Sequence, residues 1–369
     1  MTGPSLRLLA DDLTGALDTA AELVGLTGPV PVFWPGATPR ELPPNAALDS
    51  GTRELAASAA VTRVTKLAPL LEPAEIAFKK VDSLMRGPTL AEAASCLRAG
   101  SWRHAIMAPA FPYQGRITRR GIQHARDAAG DWLLVGDDIV LRLRAEGVPA
   151  QAGHLGAELA PGITVFDAEN DADLLRIAAC GMNAPGRVLW IGTGGLAQAL
   201  AAGMPPPGCA SLCSPVLGLF GSDQAVTARQ LTACGADWLR VPEFGSTSSI
   251  AARLEARGRA LISVDLPTGL GRGEAAERIG ARLHRLVHDL PAPGTLVVAG
   301  GETLRGLCLS LGARSLEVQG RIMPGLPRSI MRGGRWDGVT VLSKSGAFGP
   351  PSLLRDLLRS IHPATERTA

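Results

Sequence analysis

The sequence predicts an α/β protein built as two α/β domains, each with a largely parallel sheet flanked by helices. Three observations lead there. The chain has 369 residues, which at about 150 residues per domain suggests two domains. Short apolar runs ending in Gly, Asp or Pro alternate with helical patterns of about 10 to 15 residues, the signature of parallel strands joined by helical crossovers. That alternation is interrupted once, at Met204-Pro205-Pro206-Pro207-Gly208 followed by Ser214-Pro215, and a triple proline can continue neither a helix nor a central strand.

In chain order, the first half predicts strands at 6–10, 30–34, 46–49, 76–80, 104–108, 163–167 and 188–191. Helices at 13–24, 89–99, 171–180 and 196–202 carry apolar residues at three and four residue spacing. After the break come a strand at 216–220, a helix at 225–234, strands at 238–241 and 260–264, a helix at 274–290, a strand at 295–299, a helix at 304–311, a strand at 339–342 and a helix at 352–361. The expected domains are therefore 1–203 and 216–369, with a Pro/Gly-rich linker region at 204–218 and a frayed tail from Pro363.

Composition excludes several classes of function. The net charge of +3 is spread along the chain, which argues against a nucleic-acid or membrane surface. No apolar run approaches the ~18 residues of a membrane span. The six cysteines contain no C-x-x-C pair, favouring reduced thiols and a cytoplasmic location. Lys supplies only four of the 37 cations, at 66, 79, 80 and 344, and three of those four fall in the motifs that follow.

There is no G-x-x-x-x-G-K-[ST] loop. Gly192-x-Gly194-x-x-Ala197 follows a strand and opens a helix, but no acid stands about 20 residues on to hold a ribose. His284 and His288 lack a third ligand and read as a surface pair. Stronger signals stand at strand ends, where open α/β sheets bind ligands. Ala10-Asp11-Asp12-Leu13-Thr14-Gly15-Ala16 places two carboxylates after the first strand, with Asp18 a turn further on. One acid would serve as a helix cap; three suggest a cation, a hydroxylated ligand or proton transfer. Lys79-Lys80-Val81-Asp82-Ser83-Leu84-Met85-Arg86-Gly87 gathers ammonium, carboxylate, hydroxyl and guanidinium groups that match a substrate carrying a carboxylate and hydroxyls. A third strand-end loop, Ala108 to Arg116, holds two prolines and the one Tyr. In the second half, Gly221-Ser222-Asp223, Ala299-Gly300-Gly301-Glu302-Thr303 and Lys344-Ser345-Gly346-Ala347-Phe348-Gly349 each form a small-residue strand-end loop whose amides can cradle phosphate.

Taken in order, A-D-D-L-T-G-A, K-K-V-D-S-L-M-R-G, A-P-A-F-P-Y-Q-G-R, V-F-D-A-E-N-D-A-D-L, I-G-T-G-G-L-A, G-S-D-Q-A-V-T-A-R-Q, A-G-G-E-T and K-S-G-A-F-G span most of the chain. Together they resemble the four-carbon acid sugar kinases, which phosphorylate threonate, erythronate and 3-oxo-tetronates with ATP. The resemblance implies a sugar-acid-binding first domain, an ATP-binding second domain and an active site in the cleft between them. Asp223 and Gln224 replace the Cys and Ser common in the family, so Ser222 alone is expected to contact phosphate from that loop. Glu302 replaces the family's Asp, and the segment after Arg116 is shortened to Arg126-Asp127-Ala128-Ala129-Gly130, which bears on substrate choice or subunit contacts.

The expected function is thus a cytoplasmic, Mg2+-dependent ATP kinase, a phosphotransferase with an alcohol acceptor, acting on the terminal hydroxyl of a four-carbon sugar acid. The resemblance implies Asp12, or alternatively Asp11, as the base. Asp18, Lys80, Asp82, Ser83, Arg86 and Arg116 would hold the sugar acid. Ser222, Gly300, Gly301, Glu302, Thr303, Lys344, Gly346 and Gly349 would surround ATP. The metal ligands are unassigned, with Glu302 the first candidate. The expected partners are a small-molecule sugar acid and ATP, without nucleic acid or membrane, and with homo-oligomer formation left open. Two other readings stand beside this one: a sugar-acid and nucleotide binding protein without turnover, and a nicotinamide oxidoreductase built on Gly192 and Gly194.

Overall fold

A computed structural model describes residues 3–127, 129–208 and 212–362 and divides the chain into two compact units, Met1–Pro207 and Gly208–Ala369. Part of the expected linker, 209–211, and the expected tail from 363 lie outside the described residues.

The first unit contains β1 (Leu6–Ala10), α1 (Leu13–Thr27), β2 (Val30–Phe33), β3 (Ala46–Asp49), α2 (Ala57–Leu67), β4 (Ile76–Lys80), α3 (Thr89–Ala99), β5 (His104–Ala108), β6 (Arg116–Arg119), β7 (Ile122–Arg126), β8 (Trp132–Val135), α4 (Ile139–Ala145), β9 (Ala150–Ala152), β10 (Gly162–Val165), α5 (Asp171–Met182), β11 (Val188–Gly192) and α6 (Gly194–Leu200). Eight strands form a parallel sheet in the order β2-β3-β1-β4-β11-β5-β10-β9. Its central strands are buried on both faces, because α1, α6 and α5 pack together in one helical layer and α2, α3 and α4 in another. Successive side chains of a strand therefore enter different cores. Leu9, Ala77, Met107 and Ile191 join the cluster that includes Val64, Ala93 and Leu143 of the second layer, while a Cβ on Gly181 of α5 would strike Trp190 and Ile106.

Caps explain the ends of α1. Asp12 is extended (φ −145°) and its side chain accepts from the Gly15 amide, while Gly28 at φ 79° stops the helix. The helix accordingly reaches Thr27 instead of residue 24. Helix α6 starts at Gly194, not 196, because Thr193 caps it.

The stretch after Arg116, expected as a shortened loop, is an antiparallel sheet of β6, β7 and β8. Its first turn is the pair Arg120-Gly121, at φ 52° and 72°, the doubly left-handed backbone that a two-residue hairpin requires. Asp167 secures it by accepting from both amides, at 2.6 and 2.9 Å. An Arg in place of the usual Asn or Asp hides that turn from a sequence reader.

The second unit contains β12 (Leu212–Cys213), β13 (Val216–Phe220), α7 (Ala225–Thr232), β14 (Trp238–Pro242), α8 (Ser248–Arg257), β15 (Arg259–Asp265), α9 (Arg272–Asp289), β16 (Thr295–Ala299), α10 (Gly301–Ser310), β17 (Ser315–Met323), β18 (Leu326–Arg332), β19 (Thr340–Lys344), α11 (Leu353–Arg359) and β20 (Ile361–His362). Strands β14-β15-β13-β16-β19 are parallel in that order, and β18 and β17 continue from β19 antiparallel. The β17–β18 hairpin and α8 were not expected from the sequence. Helices flank this sheet too: α9 packs with α10, and α7 with α11.

Candidate active site

In the first unit the strand ends of β3, β1 and β4 lie side by side, and backbone bonds stitch them together. The Ser50 amide donates to Ala10 O at 2.8 Å and the Thr52 amide to Asp11 O at 3.0 Å. This brings Arg53, from the turn after β3, over the paired aspartates. Its Nε lies 2.7 Å from Asp11 Oδ2, Nη1 2.6 Å from Asp12 Oδ2 and Nη2 3.5 Å from Asp82 Oδ1. Lys80 approaches from β4, with Nζ 3.2 Å from Asp11 Oδ1 and 3.7 Å from Asp12 Oδ1.

Gly15 makes that approach sterically available, since a Cβ there would run into the Lys80 side chain and lie 2.6 Å from Asp12 Oδ1. Asp82 accepts a two-pronged contact from Arg86, Nε at 2.9 Å and Nη2 at 2.8 Å, as well as the Leu84 and Arg86 amides at 3.2 Å. Arg116 lies within electrostatic reach of Asp82 and Arg86. Three cations (Arg53, Lys80, Arg86) thus pair with three carboxylates (Asp11, Asp12, Asp82), and Arg116, whose Nη1 donates to Gln114 O and Gly115 O, adds a further positive charge nearby that suits an anionic ligand.

The charges set the protonation states. Burial alone would push the Asp11 carboxyl up, but Lys80 and Arg53 outweigh it and hold the group well below the usual carboxylate range. Burial opposes ionisation of Asp82 as well, yet Arg86, Lys80 and Arg53 bring it down to about 2. Burial pushes the Arg116 guanidinium down, with partial relief from Asp82. The two aspartates differ in access: the Asp11 side chain is 4% exposed and that of Asp12 22%.

In the second unit the ends of β13, β16 and β19 are likewise adjacent. The Gly300 amide donates to Lys344 O at 2.9 Å, and Gly300 itself sits at φ 98°, where a side chain is strained. A Cβ on Gly221 would come within 2.7 Å of Thr303 Oγ1, and one on Gly346 would run into Ser222 Oγ. The three small-residue loops therefore touch through positions where only glycine fits. Buried Gln230 of α7 clamps the last loop, its Nε2 donating to Phe348 O and Pro350 O at 3.0 Å each.

Comparison with known proteins agrees with this layout. Residues 6–134 match the family described as the sugar-binding N-terminal domain, and residues 217–354 the nucleotide-binding C-terminal domain. A D-threonate kinase of Bordetella bronchiseptica is 30% identical over 96% of both chains, and one of Cupriavidus necator 30% identical over 95% of this chain and 96% of its own. The chain belongs to the four-carbon acid sugar kinase family. That makes it a member of a family of phosphotransferases. A 3-oxo-tetronate kinase of Cupriavidus necator is 29% identical over 59% of this chain and 56% of its own. A Haemophilus influenzae protein shares the fold, with TM-score 0.68 at 17% identity over 96% of this chain and 99% of that one.

Within this kinase fold the sequence-predicted residues separate into those the structure brings together and those it does not. Asp11, Asp12, Lys80, Asp82 and Arg86 form one charge network. Asp18 lies further along α1, its Oδ2 3.6 Å from the place of a Cβ on Gly194. Ser83 contributes its carbonyl, which accepts from Gln123 Nε2 at 2.9 Å. Of the two adjacent lysines only Lys80 reaches the site. Strand alternation sends Lys79 to the other face, where its Nζ pairs with buried Glu92 at 2.7 Å.

The three-acid argument for a cation also changes, because Arg53 and Lys80 already balance Asp11 and Asp12. Glu302 is 80% exposed and pairs with Arg305 at 2.6 Å. Lys344 is fully buried, and its Nζ donates inward to Thr227 Oγ1 (3.3 Å), Ser345 O (2.8 Å) and Gly346 O (3.4 Å). Gly192, Gly194 and Gly195 serve packing: a Cβ on Gly195 would meet Ala110 O at 2.7 Å, and one on Gly194 the Phe111 ring at 3.0 Å. This gives the glycines of the dinucleotide-like pattern a structural explanation.

Sequence reading missed Arg53, Gly15, Thr227 and Gln230. For Arg53 a signal was available, because Gly51-Thr52-Arg53 follows a strand just as the Asp11 and Lys80 motifs do.

Proposed function

We propose that the protein is an ATP-dependent kinase phosphorylating the terminal hydroxyl of a four-carbon sugar acid, with D-threonate the first substrate to test. One observation carries this reading: the Arg53-centred network, in which Arg53, Lys80 and Arg86 balance Asp11, Asp12 and Asp82 at the strand ends of the sugar-binding unit, with Arg116 a further positive charge within reach. The D-threonate kinases that match nearly the whole chain support the choice of acid.

Phosphoryl transfer asks mainly for positioning and charge neutralisation. Arg86, 58% exposed and aligned by Asp82, presents its remaining donors to the substrate carboxylate together with Arg116. Asp12 takes the proton of the attacking hydroxyl. It is the more exposed of the paired acids, and its geometry is held by Arg53 on one oxygen and the Gly15 amide on the other. Asp11, sealed between Lys80 and Arg53, keeps both cations in place.

The second unit suits the phosphates of ATP: touching loops, Ser222 and Thr303 hydroxyls, and a buried ammonium bonded to two carbonyls and a hydroxyl. When bound, ATP supplies the transferred phosphoryl group. Mg2+ takes most of its ligands from phosphate oxygens and water, so a single carboxylate from the protein, Glu302 or Asp223, would suffice.

An ATP-consumption screen over the stereoisomers of threonate, erythronate and their 3-oxo forms, with the product's phosphate position read by NMR, tests the proposal. Phosphate on the terminal carbon of a four-carbon acid is the expected result. Binding of both ligands without turnover, or ATP hydrolysis indifferent to the acid, rejects it.

A further inference from the structure

The loop after β19 carries a device that no motif comparison assigns. The Ser345 carbonyl accepts from Lys344 Nζ at 2.8 Å. The Gly346 carbonyl accepts from Thr227 Oγ1 at 2.7 Å and from Lys344 Nζ at 3.4 Å. Lys344 and Thr227 are both fully buried. In a planar trans peptide the carbonyl oxygen and the following amide hydrogen point in opposite directions. Two successive carbonyls turned inward therefore turn the amides of Gly346 and Ala347 outward.

Among the described residues neither amide donates to another backbone or side-chain group, whereas the next one, of Phe348, is closed onto Ser345 O at 3.0 Å. Successive outward amides make an anion-binding concavity. A second, independent feature points to an anion here: among the described residues no carboxylate pairs with the buried Lys344 ammonium, and burial brings that group down to about 8.

We propose that Lys344 and Thr227 are positioning residues, which hold the Ser345 and Gly346 carbonyls inward so that the Gly346 and Ala347 amides bind a phosphate group of the nucleotide. The proposal rests on the reading of the second unit as the ATP site. Lys344 then acts on the phosphate through the loop it orients, and Thr227 is as necessary as the charge, because its hydroxyl accepts from Lys344 and donates to Gly346 O.

The test is calorimetric titration of the full chain with ADP and, separately, with adenosine, for wild type, Lys344→Met, Thr227→Val and Thr227→Ser. Circular dichroism confirms folding. Both Lys344→Met and Thr227→Val are expected to weaken ADP about tenfold or more, the equivalent of one net hydrogen bond to a charged group. Adenosine, which has no phosphate, should bind all variants as it binds wild type, and Thr227→Ser should restore ADP affinity. A folded Thr227→Val chain with wild-type ADP affinity overturns the proposal even if Lys344→Met fails to fold. So does an equal loss for ADP and adenosine, which marks a merely structural role. Wild type that binds no ADP at all instead removes the nucleotide reading on which the proposal stands.

Discussion

The two units hold their strand-end sites by different means. In the first, side chains oppose side chains: Arg53 alone touches Asp11, Asp12 and Asp82, and Lys80 closes the circle. In the second, backbone does most of the positioning, through Gly221, Gly300 and Gly346 at close approaches or left-handed φ, with Lys344 bonded to carbonyls of its own loop. The difference teaches where each site is fragile. A closed ion network fails when one charge is removed and its partners are stranded in a buried place. A loop of close-packed glycines fails when an atom is added.

The largest expected effect is on the network. Asp11→Asn leaves Lys80 and Arg53 underpaired in a buried setting and should cost about 3 kcal/mol or more of stability, measured by urea unfolding. A loss under about 1 kcal/mol would show the network to be looser than its geometry. Asp12→Asn sharpens the contrast, because Asn caps a helix about as well as Asp. Because the Asp12 side chain is 22% exposed against 4% for Asp11, its loss from the network should cost less stability than Asp11→Asn, while kcat falls about 10²-fold and substrate affinity changes little. Should the Asp12→Asn enzyme keep near wild-type kcat, proton acceptance has to move to another group.

Arg86→Lys keeps the charge but loses the fork aligned on Asp82, so KM for the sugar acid should rise about tenfold with KM for ATP unchanged. Equal rises in both would remove Arg86 from the acid-binding role. In the second unit, Gly346→Ala drives a methyl into Ser222 and should weaken ADP several-fold, about 1 kcal/mol as in other overpacked sites, with sugar-acid affinity intact. Unaltered ADP affinity would place the phosphates elsewhere.

The smallest effect is in acid. Asp82 has its carboxyl lowered from 3.8 to about 2 in the folded protein, so the stability it contributes is fully present above the unfolded value and is lost as pH falls through the folded one. Unfolding curves for wild type should therefore lose stability between pH 4 and pH 2 more steeply than those of Asp82→Asn. Parallel slopes would mean that Asp82 is not ion-paired in solution.

The strand-end motifs were legible because their chemistry is local: A-D-D-L-T-G and K-K-V-D-S-L-M-R-G announce charge at the end of an apolar run. Arg53 was not, since it stands 42 and 41 residues from Asp11 and Asp12 in a turn that looks ordinary by itself. The glycine of that first motif has no evident role in the sequence, whereas in the structure Gly15 sits inside a helix and is explained by the Lys80 side chain crossing over it. The β6–β7 hairpin escaped for a third reason, an Arg at a left-handed turn position.

Periodicity, breakers and residue type by themselves determined the α/β class, nearly every central strand and the positions of the charged and glycine-rich loops, because these follow from local burial and backbone preference. Tertiary structure decided how the charges pair. Which of two adjacent lysines meets Asp11 depends on strand alternation between two helical layers. Which carboxylate stays accessible depends on a guanidinium delivered from a neighbouring strand. Lys344 donates to the carbonyls of its own loop and to a threonine 117 residues away. Pairing is a matter of distance in space, and sequence spacing does not encode it until the sheet has ordered its strands.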